Sequence, residues 1–88
     1  MKLLELDIIT PEQILFEGKA QSVTVPGTKS PFQVLFNHAP IVSSLENGQI
    51  KIVDDNNKTI LFKTTQGFIE VKSNKVNILV DSAEIEAV

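Results

Sequence analysis

Apolar and polar residues alternate with a period of two along most of the chain, the pattern of strands that bury one face and wet the other. Leu4, Leu6 and Ile8 share a face, as do Val23 with Val25, Phe32 with Val34 and Phe36, and Ile50 with Ile52. Ile60 with Phe62, Ile69 with Val71, and Val76 with Ile78 and Val80 continue the series. Turn-forming residues separate most of these runs: Pro26-Gly27, Asn37 to Pro40, Asn47-Gly48, Asp54 to Asn57, Gly67, and Ser73-Asn74. Short strands at this spacing predict an antiparallel sandwich or barrel in one domain. Leu3, Ile9, Leu35, Ile41, Val42 and Leu45 fall off the main alternating faces, which marks them for a second sheet's core or for a partner surface.

Two local signals favour helix. Thr10-Pro11-Glu12-Gln13 has the form of a capping box with proline at the first helical position, but the flanking Ile8, Ile9, Ile14 and Phe16 favour strand, so a one-turn reversal is expected. Asp81-Ser82-Ala83-Glu84 offers a second N-cap, with too few residues after it to repay helix nucleation. At most a vestigial helical turn is therefore expected at the C-terminus.

Composition narrows the function more than the fold. With 88 residues, 42% of them hydrophobic and 22% charged, the chain makes one small globular domain. It has no cysteine, which excludes disulfides, thiolate nucleophiles and zinc-thiolate clusters. Its eight cations are all lysine and stand against eleven carboxylates, a net charge of -3. Without arginine forks or net positive charge, nucleic-acid binding is not expected. Apolar runs are too short to span a membrane as a helix, so no direct membrane insertion is expected.

Catalytic candidates are few. His38 is the only histidine, and its place between Asn37 and Ala39-Pro40 suits an exposed contact loop better than a general base. Asp54-Asp55-Asn56-Asn57 lacks the spacing and distal glutamate of a calcium loop and reads as a polar hairpin turn. The five phenylalanines, with no tyrosine or tryptophan, make a poor stacking platform for sugars or bases. No catalytic residue, cofactor site or metal site is assigned. A binding or assembly subunit remains, with a free-standing carbohydrate- or peptide-binding sandwich as the alternative and a small hydrolase built on His38 as a third reading.

The ordered motifs resemble one family. Leu6-Asp7-Ile8-Ile9-Thr10-Pro11-Glu12, then Leu15-Phe16-Glu17-Gly18, Val23-Thr24-Val25-Pro26-Gly27 and Phe32 to Pro40 are similar to the epsilon subunit of the F-type ATP synthase, in its amino-terminal β-sandwich domain. Gly48 to Ile52, Gly67 to Val71 and Asn77 to Ala83 follow in the family's order. The resemblance implies a flattened antiparallel β-sandwich of about ten short strands over residues 1–83. Residues 84–88 would form a short tail where the helical hairpin of longer relatives begins.

What the resemblance implies about function is structural. Such a chain is a non-catalytic rotor subunit of the central stalk, linking the gamma subunit to the c-ring so that proton-driven rotation is coupled to ATP synthesis. It would sit at the cytoplasmic face of the bacterial plasma membrane as a peripheral part of the complex. Gamma contact is expected at Thr10, His38, Ala39, Pro40 and Ile41, and c-ring contact at Lys29, Ser30, Pro31 and Phe32. With the chain ending at Val88, neither ATP binding nor inhibition by the hairpin is expected.

Overall fold

The computed structural model describes residues 2–87 and contains nine strands and no helix among them. In chain order they are β1 (Leu4–Ile9), β2 (Ile14–Val25), β3 (Phe32–Leu35), β4 (Ile41–Leu45), β5 (Gly48–Asp54), β6 (Thr59–Thr64), β7 (Gly67–Lys72), β8 (Lys75–Val80) and β9 (Ala83–Ala87). The ladder order is β4-β7-β8-β1-β2-β5-β6-β9, with β3 paired to β2. Strand β2 is the hinge of this arrangement. Its first half pairs with β1, its second half lies between β3 and β5, and its register slips between Ala20 and Ser22. A bulge of this kind bends a strand and sharpens its twist, which lets one long strand serve both layers of a sandwich.

The inward positions are those the alternation marks. Leu4, Leu6, Ile8, Val23, Val34, Ile50, Ile52, Ile69, Val76 and Ile78 are fully buried in one core drawn from both layers. Phe62 closes it, its ring meeting Phe16 edge to face at 6.5 Å between centroids. Of the off-phase residues, Leu45 is buried and Ile41 packs against the core, whereas Leu35 and Val42 are exposed.

Turn chemistry is as the sequence marks it in three hairpins. Ser73 and Asn74 both adopt positive φ (51° and 64°), the geometry of a two-residue type I′ turn between β7 and β8. At the β5–β6 turn the Asp54 carboxylate accepts the backbone N–H groups of Asn56 and Lys58, each at 2.9 Å. Between β1 and β2, Thr10 Oγ1 accepts the Gln13 N–H at 3.3 Å, and the Thr10 N–H donates to the Gln13 carbonyl at 2.9 Å. This is the expected one-turn reversal.

Three features go beyond the sequence reading. The antiparallel rule has one exception, because β1 lies parallel to β8. A parallel neighbour needs a long connection, and here most of the chain separates the two strands. The Asp81 to Glu84 segment starts no helix. Ala83 pairs with Thr64 and Glu84 with Lys63, so a ladder to β6 satisfies backbone groups that a single helical turn would leave open. The division expected at residue 83 thus falls on the first residue of β9, and Glu84 to Ala87 continue that strand; Val88 lies outside the described residues.

Glycine placement gives a small-effect test. A Cβ at Gly18 would touch only the Phe16 ring, at 3.7 Å, an ordinary contact. Gly18→Ala is expected to leave stability unchanged or raise it by less than about 1 kcal/mol, measured by urea unfolding. A loss above that size would mean β2 needs glycine for its bend.

Candidate functional site

The outer face of β4, β7, β8 and β1 carries side chains in register-matched rows. Phe68 pairs with Ser44 on one side and Leu79 on the other, Leu79 with Ile9, and Ile9 with Ile14. The result is an apolar row across the sheet at one end. Phe68 is 46% exposed, Leu79 37% and Ile14 58%, and Val42 stands at 70% beside the row. An open depression of about 610 Å³ follows it, with Thr10 and Pro11 on one flank and Thr28 and Ser44 on the other.

Two polar rows follow toward the opposite end. Val42, Glu70, Asn77, Asp7 and Glu17 are aligned in one, and Lys72, Lys75, Glu5 and Lys19 in the next. Lys75 Nζ lies 3.1 Å from the Asp7 carboxylate, and Lys19 Nζ lies 3.2 Å from that of Glu5. The exposed Lys19–Glu5 pair adds little stability, whereas Asp7 in the other pair is partly buried. The other layer differs: its outward positions include Gln33, Lys51, Gln49 and Lys63, and Gln49 Nε2 donates to Glu86 Oε1 at 2.6 Å. Leu35 is its large exposed apolar residue outside β9.

The His38 segment borders the polar end of the first face. The His38 N–H closes a turn on the Leu35 carbonyl at 3.1 Å, and Nδ1 donates to the Ala39 carbonyl at 2.7 Å. That bond engages one ring nitrogen with a backbone oxygen, and among the described residues no carboxylate hydrogen-bonds the ring to orient it as a base. Pro40 leads directly into Ile41, the first residue of β4.

Lys29, Ser30 and Pro31 are exposed on the β2–β3 connection. This loop is tied to the β4 edge: Thr28 N–H donates to the Ser44 carbonyl at 3.1 Å, Thr28 Oγ1 bonds Ser44 Oγ at 2.9 Å, and Glu46 N–H donates to Pro26 at 2.9 Å. Phe32 turns inward instead, packing on the core with its ring over Gly27.

The structure therefore regroups the residues singled out from sequence. Thr10 lies at the Leu45 end of the sheet, with Thr28, while His38, Ala39 and Pro40 lie at the Ile41 end. Four residue steps of β4, about 13 Å of strand, separate the two ends. Both groups flank the same outer face. Phe68 and Leu79 were not singled out, although each lies out of phase with its buried neighbours, Ile69 and Val71 or Ile78 and Val80.

Residues 3–86 match the model of the ATP synthase delta/epsilon chain β-sandwich domain. The chain belongs to this family. It is 36% identical over 80 residues to an ATP synthase epsilon chain of Chlorobaculum tepidum, covering 91% of both chains. With the epsilon chain of Wolinella succinogenes it shares 40% identity over 83 residues, covering 94% of this chain and 63% of that one. This epsilon-type sandwich thus spans about two thirds of some of its relatives and nearly all of others. Its fold also superposes on a chain of the Euglena gracilis mitochondrial ATP synthase structure of OSCP, F1 and c-ring, with a TM-score of 0.91 at 17% identity, covering 100% of this chain and 57% of the other. A chain in the Tetrahymena thermophila mitochondrial ATP synthase central stalk and c-ring gives 0.76 at 21%, covering 96% and 66%.

Proposed function

We propose that this chain is the non-catalytic rotor subunit that joins the gamma subunit to the c-ring in a proton-driven ATP synthase, at the cytoplasmic face of a bacterial plasma membrane. The family match across residues 3–86 carries this reading. No helix is long and apolar enough to cross a membrane among the described residues, in keeping with a peripheral position.

Gamma lies along the outer face of β4, β7, β8 and β1, reaching Thr10 at one end and His38, Ala39 and Pro40 at the other. An apolar row at one end with two polar rows beside it offers a dry contact zone and a wet border, the two components of a protein interface. The c-ring's polar loops meet Lys29, Ser30 and Pro31, which the ties from Thr28 to Ser44 and from Glu46 to Pro26 hold firm against the sheet. Torque transfer requires contacts that do not slip; most of the gamma face is hydrogen-bonded strand, and the β2–β3 loop is tied to the β4 edge by backbone hydrogen bonds.

Calorimetric titration with the gamma subunit of the same organism tests the reading. Submicromolar affinity is expected, and no binding between two demonstrably folded proteins would overturn it. Ile41 is a poor probe because it packs on the core. His38→Ala and Val42→Asp are cleaner, and each is expected to weaken binding about tenfold with the thermal midpoint nearly unchanged. Unaltered affinity in both would move gamma to another surface.

A further inference from the structure

The His38 segment is gripped from outside its own loop. Asn37, which precedes it, adopts φ 65°, a left-handed conformation at the third position of the Leu35–His38 turn. Its backbone N–H donates to Asn74 Oδ1 at 2.6 Å, and Asn74 Nδ2 donates back to Asn37 Oδ1 at 3.3 Å. Asn74 lies 37 positions away, on the β7–β8 turn, also left-handed at φ 64°. Its own carbonyl accepts the Glu5 N–H at 2.9 Å, which anchors it to the start of β1. One residue thus couples three places in the chain: its backbone carbonyl holds β1 to the β7–β8 hairpin, and its side chain holds that hairpin to the turn that presents His38.

We infer that Asn74 is a positioning residue for the docking segment, a latch that sets His38, Ala39 and Pro40 in their bound geometry before a partner arrives. This rests on the reading that the segment docks gamma. Most of the β3–β4 connection has no ladder of its own, so without the latch the turn would sample several conformations and lose that freedom on binding. Pre-ordering removes this loss and strengthens association without adding a contact. Asparagine suits both ends for one reason: it tolerates positive φ better than other residues with a side chain, and its amide both donates and accepts. Glycine at either position would keep the backbone and forfeit the pair.

Asn74→Gly isolates the latch, because glycine fits the type I′ turn and only the side chain is lost. Two measurements separate the latch from the docking reading. On the isolated chain, amide exchange of His38, whose N–H bonds Leu35 rather than Asn74, is expected to speed up roughly tenfold while core amides of β1 and β8 keep their rates. In titration with gamma, the same variant is expected to bind about tenfold more weakly, with the loss mainly in association rate. Asn74→Asp, which can accept from Asn37 N–H but not donate, is expected to fall between the two. Unchanged exchange at His38 would overturn the latch whatever gamma does. Faster exchange with unchanged gamma affinity, in a wild-type chain that binds gamma, would overturn its role in docking. A wild-type chain that does not bind gamma would instead count against the docking reading, with the exchange result still standing.

Discussion

Gly67→Ala is expected to lower the thermal midpoint of unfolding by more than about 10 °C, a loss of roughly 3 kcal/mol at the upper end of what overpacking costs. The reason is space rather than torsional freedom, since no glycine among the described residues has a positive φ. Gly67 opens β7 opposite Val80, and a Cβ there would collide with the Leu79 carbonyl oxygen and stand 2.8 Å from Val80 Cα. Backbone atoms of a paired strand cannot rotate away as a side chain can. The collision would pry β7 from β8 at the end where Phe68 and Leu79 form the apolar row. Thermal unfolding followed by far-ultraviolet circular dichroism checks this beside Gly18→Ala, which meets only a ring edge. A midpoint within about 3 °C of wild type would show that β7 and β8 can separate cheaply.

The contrast between these glycines shows what the sequence can disclose. Composition marks Gly67 only as a turn former and Gly18 not at all, because the atoms that decide the difference, the Leu79 carbonyl and Val80 Cα, belong to the paired strand β8 and are set by register rather than by local sequence. The buried face of each strand is a local property, and Leu4, Leu6 and Ile8 or Val76, Ile78 and Val80 declare it by parity alone. The hairpin at Ser73-Asn74 is likewise written in residues that tolerate positive φ. Pairing across distance is not local. Nothing in Leu4 to Ile9 announces a parallel neighbour in β8, and Asp81 to Glu84 carries a sound helix cap that loses to a ladder with β6. The motifs that point to the family are local runs, which is why they can be read without the structure. The grouping of the site is not. Family resemblance joins Thr10 and His38, yet only the registers of β1 on β8, β8 on β7 and β7 on β4 show that they bracket a face rather than share a patch.

That face supplies the largest functional effect. Phe68→Glu combined with Leu79→Glu is expected to weaken gamma binding at least a hundredfold, beyond detection in a calorimetric titration at micromolar concentrations. The two side chains are cross-strand partners, so they form one continuous apolar surface at the centre of the row from Ser44 to Ile14. Central, well-packed aromatic and aliphatic anchors carry most of an interface's energy, at about 2 kcal/mol or more for each hot spot. A glutamate at each position adds the penalty of burying an unpaired carboxylate to the lost apolar contact. Both side chains already stand partly in water, so the free domain should tolerate the change with a midpoint shift of only a few degrees. Lys51→Glu on the opposite layer serves as the control, since it changes charge on the polar face and is expected to leave affinity within about twofold. If the double variant unfolds, Phe68→Ser and Leu79→Ser taken singly keep the question open to measurement, each expected to cost about tenfold. Full affinity in folded variants at these positions would place gamma off this face and leave the apolar row without its proposed partner.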